Sequence, residues 1–170
     1  YIGVLFIETS GCLPMCGHGT IGTVTIAIEN GLVTPRQPGR LSLETPAGKV
    51  DVTYTREGRK VRSVRLTNVP SFLHSSGLEV DCPELGGALR FDMAYGGNFY
   101  AIIEPQGIYQ DLEQLTAADI VRLSALLRDR INDKYRFSHP DDDRLSHMRH
   151  VMWTGRPVKP DSNARNAVFY

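Results

Sequence analysis

The sequence predicts an α+β fold in which sheet curves around a few buried helices. Two observations carry this prediction. Segments that alternate apolar and polar residues outnumber segments with helical periodicity, and short turns join several of them as hairpins. Residues 21–28 are apolar or small on nearly every side, so we expect this segment to form a helix at the centre of a layer rather than on a surface.

The first predicted elements are a buried strand and a helix, separated by a turn-rich break. Residues 4–7 are apolar and predict a strand, and residues 10–14 contain the glycine and proline that end it. A second element starts near Cys16. Gly31 suits the left-handed position that closes many helices, which favours a helix over 21–28, although the β-branched residues of that segment leave a strand as the alternative.

Two hairpin systems are predicted in the middle of the chain. Residues 41–45 and 49–55 alternate with a period of two and are separated by a short turn, and residues 60–67 continue the pattern. Residues 89–94 and 99–104 form a second pair around a turn that contains two glycines. Antiparallel sheet is therefore expected in both parts of the chain.

A change of composition between Pro70 and Pro83 predicts a connection between two subdomains. Serine, histidine and glycine dominate this stretch around one short apolar segment. We therefore assign residues 1–75 to a first half and residues 84–170 to a second half. Both ends of the chain lie in apolar, strand-like runs, which predicts a piece of a longer polypeptide.

The second half contains the clearest amphipathic helix of the sequence. It is predicted to start at Thr116, with Asp119 three residues later as part of a capping box. Its expected core face consists of Ile120, Leu123, Leu127 and Ile131. A polar stretch follows over residues 138–144, then apolar residues 151–153 and a last strand over 166–170.

Composition and charge exclude several classes of protein. Of 170 residues, 41% are hydrophobic and 22% charged, which suffices for a core in one domain or two small halves. The 19 basic and 19 acidic residues give a formal charge of zero, so neither nucleic acid nor a membrane surface is an expected partner. The sequence contains no apolar run of about 20 residues and no basic leader at its start, which predicts a cytoplasmic protein. Three cysteines argue against a disulfide framework.

Residues 15–22 place a thiol, an imidazole and three glycines where a loop enters a helix. The first N–H groups of a helix have no internal partners and bind anions, and the same field stabilises thiolates. Cys16 could thus act as a base on a molecule that carries a carboxylate. Two other interpretations stay open: Cys16 as a small buried residue, and a metal site formed by Cys12, Cys16 and His18 with Cys82 or His74.

Five segments resemble, in order, the proline racemase and 4-hydroxyproline 2-epimerase family. They comprise residues 8–22, 66–72, 94–101, 150–155 and 164–170, and the resemblance thus extends over almost the whole chain. The segments at 94–101 and 150–155 resemble the hydroxyproline epimerases more than the proline racemases. The resemblance implies a fold of the diaminopimelate-epimerase type, with two similar halves that each wrap sheet around a central helix. In this chain both halves are expected to be incomplete.

The resemblance also implies an isomerase that inverts Cα of trans-4-hydroxy-L-proline without a cofactor or metal. Cys16 matches one of the two acid/base thiols of the family, and Gly17 and His18 match the positions that hold the substrate carboxylate. His150, beside Trp153, is a candidate for a further substrate contact, and an ordinary strand histidine is the alternative. A small imino acid is therefore the expected partner, and a homodimer is compatible with a sequence that carries no distinctive mark of oligomeric state.

One family segment is expected beyond Tyr170. It reads Ser-Pro-Cys-Gly-Thr-Gly in family members and carries the second thiol, so residues 1–170 alone are predicted to be inactive. The alternatives are a proline racemase, a trans-3-hydroxy-L-proline dehydratase if threonine replaces that cysteine, and a carboxylate-binding protein without activity. The remaining thiols, Cys12 and Cys82, are expected to be structural. Surface positions are expected for His74, His139 and His147.

Overall fold

A computed structural model describes residues 1–8 and 11–169 of the protein. By its internal contacts the chain divides into two units, Tyr1–Pro70 and Ser71–Tyr170. The division falls at the start of the predicted connection. Residues 72–82 do not form a connection, however, because they belong to a long strand of the second unit. The assignment of residues 1–75 and 84–170 to two family halves stays a prediction.

The first unit combines one helix with a four-stranded sheet and a small ribbon. Its elements are β1 (Ile2–Gly3), β2 (Phe6–Glu8), β3 (Gly11–Leu13), α1 (Gly17–Glu29), β4 (Arg40–Thr45), β5 (Gly48–Glu57) and β6 (Lys60–Thr67). The sheet has the order β1-β4-β5-β6, in which β1 runs parallel to β4 and the other pairs are antiparallel. The predicted hairpin is confirmed, since Thr45 pairs with Gly48 across a two-residue turn.

The beginning of the chain differs from the prediction. The single strand expected over 4–7 is replaced by β1, which joins the large sheet, and β2, which does not. The expected break over 10–14 contains β3, which folds back on β2 and pairs Ile7 with Cys12. A backbone hydrogen bond from Ala47 to the carbonyl of Pro14 then ties the end of this ribbon to the β4–β5 turn. The parts of the predictions that fall on Thr9, Ser10 and Tyr170 lie outside the described residues.

The segment over 21–28 is a helix, which excludes the alternative of a strand. Gly31 has a φ of +65° after its last turn, and the N–H groups of Gly31 and Leu32 donate to the carbonyls of Ile28 and Ala27. This pair of bonds is the Schellman arrangement that ends a helix at a glycine. Val24 is fully buried, but Ile26 is 59% exposed. Within the described residues α1 is therefore buried on one face only, and the enclosure predicted for it is incomplete.

The second unit is built around a five-stranded sheet. Its elements are β7 (Phe72–Cys82), β8 (Gly87–Tyr95), β9 (Phe99–Ile103), α2 (Ala117–Lys134), β10 (Ser138–His139), β11 (Asp142–Ser146), β12 (Met148–Gly155) and β13 (Arg165–Phe169). The sheet has the order β13-β12-β9-β8-β7, and only the β9–β12 pair among these neighbours is parallel. The predicted β8–β9 hairpin is confirmed. β10 and β11 form a separate hairpin.

Helix α2 follows its prediction closely. Thr116 is the N-cap, and the reciprocal bonds with Asp119 complete the capping box. Leu123, Leu127 and Ile131 are buried, whereas Ile120 is only half-buried. The helix packs on β7, β12 and β13, and the indole N–H of Trp153 donates to Ser124 Oγ at 2.8 Å. No helix within the described part of the chain is long and apolar enough to cross a membrane.

Candidate active site

Cys16 is the N-cap residue of α1. Its backbone is extended, with φ −140° and ψ 116°, and its carbonyl accepts the first intrahelical bond from Thr20 at 2.9 Å. The Sγ atom accepts a hydrogen bond from the Gly19 N–H at 3.3 Å. Because this carbonyl bond is the first of the helix, the N–H groups of Gly17 and His18 precede the intrahelical ladder. The half-buried thiol thus lies at the positive end of the helix dipole.

The ring of Phe6 packs against the first turn of α1. Phe6 is 9% exposed and lies in β2, and a methyl group built on Gly19 would lie 2.7 Å from its ring and 3.3 Å from the Cβ of Cys16. The β2–β3 ribbon therefore positions the turn that carries the thiol. The absence of a side chain at Gly19 thus lets the Phe6 ring approach the helix.

Gly17 behaves differently from Gly19. No heavy atom outside its chain neighbours and its own helix lies within 4 Å of a methyl group built at Gly17. The space into which a side chain at position 17 would project is open, which leaves room for a ligand near the helix end. The side chain of His18 is exposed, and its backbone N–H is one of the two that precede the intrahelical bonds.

Replacing each of these two glycines with alanine should distinguish the packing role of Gly19 from the open position of Gly17. Gly19→Ala should lower the free energy of unfolding by about 1–3 kcal/mol, because the new methyl group overlaps the Phe6 ring. Gly17→Ala should leave the stability unchanged or raise it by less than about 1 kcal/mol. Urea unfolding of the two variants measures the difference. Equal stability of both would contradict the packing role of Gly19.

The alternative of a metal site has no geometric support in residues 1–8 and 11–169. These residues contain no group of three or more histidine, cysteine, aspartate or glutamate side chains that could hold a metal ion. Cys12 is exposed in β3, and Cys82 is buried at the end of β7 in the other unit. Burial raises the pKa of the Cys82 thiol, which suits a structural residue.

The predicted substrate contact His150 lies in the second unit. It is 6% exposed in β12, and its ring stacks on Tyr100 of β9 with a centroid distance of 4.6 Å. Cys16, Gly17 and His18 thus lie together, and His150 belongs to a separate unit. Of the other histidines, His74 and His147 are exposed, as predicted, and His139 is half-buried.

An ion-pair network in the second unit was not found from the sequence. The carboxylate of Asp111, whose side chain is 8% exposed, accepts hydrogen bonds from Arg156 at 2.7 Å and from Arg165 at 3.1 Å. Gly155 leaves room for it, since a methyl group there would lie 2.5 Å from Asp111 Oδ1. The one signal in the sequence is the β12–β13 hairpin, whose register brings both arginines to the same end.

Acid should destabilise the second unit through three carboxylates. Hydrogen bonds from arginine side chains are the main cause that lowers the pKa of Glu84, Asp111 and Asp142, each to about 2. Because these folded-state pKa values lie below the unfolded values, the stabilisation is complete above about pH 5 and is lost progressively as the pH falls toward 2. The free energy of unfolding in urea should therefore decline steeply over that interval.

The variant Asp111→Asn tests this assignment. It should be less stable than the wild type at pH 7, and the difference should shrink as the pH falls to 2 and below, because the wild-type carboxyl then becomes protonated as well. Asp133→Asn, at an exposed position of α2, is the control and should differ little from the wild type at any pH. A constant deficit for Asp111→Asn would mean that its charge is not responsible.

Comparison with solved structures defines the class of fold. The chain superimposes with a TM-score of 0.53 on a phenazine biosynthesis protein from Bacillus anthracis at 16% identity, a likeness of fold alone. It superimposes with a TM-score of 0.82 on a hydroxyproline epimerase from Agrobacterium vitis with bound trans-4-hydroxy-L-proline, at 29% identity over 98% of this chain and 47% of the other. The chain contains two units that each combine a sheet with one α-helix. Its fold thus belongs to the α+β, diaminopimelate-epimerase-like class.

The chain belongs to the proline racemase family, whose family model, described as "Proline racemase", matches residues 1–170. It is 59% identical to 4-hydroxyproline 2-epimerase 2 of Brucella anthropi and 58% identical to 4-hydroxyproline 2-epimerase of Brucella suis biovar 1, each over 99% of this chain and 50% of the relative. The resemblance inferred from the sequence motifs is thereby confirmed. The chain spans about half the length of these curated relatives.

Proposed function

We propose that the intact protein epimerises trans-4-hydroxy-L-proline to cis-4-hydroxy-D-proline, with Cys16 as one of two acid/base groups. The observation that carries the proposal is the position of the thiol. Sγ lies at the N-cap of α1, next to N–H groups that precede the intrahelical bonds. A base and an anion site therefore occupy the same helix end.

The carboxylate of the substrate is proposed to bind at the N–H groups of Gly17 and His18. Their position at the positive end of the helix favours an anion, and the open space at Gly17 allows a close approach. Binding there brings Cα of the substrate close to Cys16, because the carboxylate and Cα are joined by one bond. The Gly19 N–H donates to Sγ, and a thiolate accepts such a bond more strongly than a thiol.

The reaction needs two proton transfers. The Cys16 thiolate takes the proton from Cα and becomes a thiol, and the electron pair stays on the carbon next to the carboxylate. A second acid then donates a proton to the opposite face of Cα and becomes the base for the reverse direction. We propose that this second group comes from a part of the intact protein outside residues 1–170, which the length of the relatives supports.

The negative charge that develops at Cα and the carboxylate is the main energetic obstacle. Fixed N–H dipoles aimed at the carboxylate lower this barrier most effectively where water is excluded. Two apolar side chains near this part of the chain are exposed: Ile7 of β2 is 74% and Ile21 of α1 is 41% exposed. We propose that they form part of the wall of a dry pocket in the intact protein.

Two solved relatives support the nature of the ligand. The hydroxyproline epimerase from Agrobacterium vitis contains bound trans-4-hydroxy-L-proline, and a probable proline racemase from Agrobacterium radiobacter K84 contains bound carbonate. The second superimposes with a TM-score of 0.84 at 29% identity, over 98% of this chain and 48% of the other. Small carboxylate-like anions are thus the expected ligands of the site. A cytoplasmic location and a homodimer are part of the proposal.

The proposal is tested by proton exchange in the full-length protein. In deuterated water the protein should convert trans-4-hydroxy-L-proline to its C2 epimer and place deuterium at Cα, which NMR and optical rotation detect together. Preferred turnover of proline would indicate a racemase, and loss of water from trans-3-hydroxy-L-proline would indicate a dehydratase. No exchange with any of the three would overturn the proposal.

A role of His150 in substrate binding remains part of the proposal. Its ring stacks on Tyr100 and is almost fully buried, so the intact pocket must reach this strand for the contact to form. His150→Gln keeps a polar side chain and should raise KM for 4-hydroxyproline more than KM for proline, which lacks the ring hydroxyl. An equal change for both substrates would assign His150 to the packing of β9 and β12.

A further inference from the structure

The outer face of the four-stranded sheet in the first unit contains a cavity. Its volume is about 630 Å³, within the usual range of sites for small molecules. Four cationic side chains line it: Arg36, Arg40, Lys49 and Arg65. None of the residues of the first turn of α1 belongs to this lining, so the cavity is separate from the candidate active site.

The strand register places the arginines on both sides of the cavity. Arg40 of β4 is opposite Thr53 of β5, which is in turn opposite Arg65 of β6. Neighbouring strands lie about 4.8 Å apart, so the two arginine Cα atoms are separated by about 10 Å across one row of the sheet. In the next row on this face lie Ser42 and Asp51. Two guanidinium groups can therefore approach one ligand from opposite sides.

The charges of this cavity are not balanced. Asp51 is the one carboxylate among the described residues that line it, and it is engaged by Lys49 Nζ at 3.0 Å and by the Ser42 hydroxyl. Arg36, Arg40 and Arg65 are exposed and, within the described parts of the chain, form no ion pair with a carboxylate. A neutral chain thus carries a local excess of about three positive charges.

Two other cations of the same sheet are paired with carboxylates. Arg62 lies on β6 with Arg65 but contacts Glu57 Oε2 at 2.8 Å, and Lys60 contacts Glu29 at 2.9 Å. Three guanidinium groups without an ion pair among the described residues, those of Arg36, Arg40 and Arg65, thus lie at one cavity. Their mutual repulsion costs stability, and a bound polyanion would relieve it.

We propose that this cavity binds a small polyanion of the diphosphate class. Guanidinium groups match phosphate oxygens with two parallel hydrogen bonds, and three of them require more than one negative charge for balance. The rest of the lining consists of Thr53, Thr67, Leu41, Val52, Gln37 and Tyr1. An imino acid with one carboxylate would leave two guanidinium groups uncompensated, so the ligand differs in class from the proposed substrate.

Calorimetric titration of the full-length protein with pyrophosphate tests the proposal. The titration is done without divalent metals and at constant ionic strength, because salt screens exposed charges. The wild type should bind pyrophosphate with a Kd below about 1 mM, and inorganic phosphate more weakly. The double variant Arg40→Gln/Arg65→Gln should lose about 100-fold in affinity, since two charged hydrogen-bonding groups are removed.

Matched variants separate the site from general charge. Arg59→Gln/Arg62→Gln removes the same charge from exposed positions next to and within β6 that do not line the cavity, and should change Kd by less than about threefold. Asp51→Asn should tighten binding, because Lys49 loses its partner. Without ligand, the thermal stability of Arg40→Gln/Arg65→Gln should equal or exceed that of the wild type.

Three results would overturn the proposal. The first is no heat of binding with pyrophosphate, and the second is an equal loss of affinity in both double variants. The third is an affinity for citrate equal to that for pyrophosphate, which would show that the cavity recognises negative charge and not phosphate. Epimerase turnover of Arg40→Gln/Arg65→Gln should match the wild type. A failure of the anion site is thereby distinguishable from a failure of the proposed function.

Discussion

Replacing Cys16 with serine in the full-length protein should lower kcat for 4-hydroxyproline epimerisation by about a thousandfold or more. A serine hydroxyl keeps the N-cap hydrogen bond of α1, so the helix and the site for the carboxylate should persist. It is a far weaker acid than a thiol, however, and cannot take up the Cα proton at neutral pH. KM should therefore change little while kcat falls, the pattern of a group that acts in the transition state.

Cys12→Ser is the matched control for this experiment. Cys12 lies only four residues earlier, is exposed in β3, and faces Ile7 across the ribbon. Its replacement should leave the rate of deuterium incorporation at Cα within about twofold of the wild type. If Cys16→Ser exchanged Cα as fast as Cys12→Ser, the thiol of Cys16 would not be the base, and the proposed mechanism would be wrong.

The largest expected effect on stability comes from Gly155→Ala. A methyl group at this position would lie 2.5 Å from Asp111 Oδ1 and 3.2 Å from Leu112. It would displace the carboxylate that both Arg156 and Arg165 contact. Overpacking of this kind costs about 1–3 kcal/mol, and we expect the upper end because the ion pairs are disturbed as well. The melting temperature of the second unit should fall by about 10 °C.

Gly107→Ala provides the comparison within the same unit. No heavy atom lies within 4 Å of a methyl group at Gly107, and its φ does not require glycine. This variant should be as stable as the wild type or slightly more stable. Calorimetric melting of both variants at pH 7 measures the difference. Equal melting temperatures would show that Asp111 moves aside without cost, and Asp111 would then no longer count among the carboxylates expected to make the second unit sensitive to acid.

Local patterns in the sequence predicted the elements whose stabilising contacts are short in range. The Thr116–Asp119 capping box, the glycine end of α1 and the two-residue turn between β4 and β5 all involve residues within five positions of each other. The same holds for the start of α1, where Cys16 contacts Gly19 and Thr20. The candidate thiol and its helix end could therefore be found without a structure.

Contacts between distant residues were not predictable in the same way. The break expected at residues 10–14 became a strand because β3 finds a partner in β2, and the connection expected over 70–83 became β7 because it pairs with β8. In both cases the local composition suited a loop. Each segment nevertheless forms a strand because its pairing partner supplies the backbone hydrogen bonds.

The sequence by itself determined the family, the α+β class and the position of Cys16 at a helix start, since each depends on residue types at short and regular spacing. Only the tertiary structure decided that Gly19 serves the Phe6 ring while Gly17 stays open. It alone joined Asp111 to Arg156 and Arg165, 45 and 54 residues away, and placed Arg40 and Arg65 around one cavity. The physical reason is that strand register and side-chain packing, rather than distance along the chain, determine which charges and atoms meet.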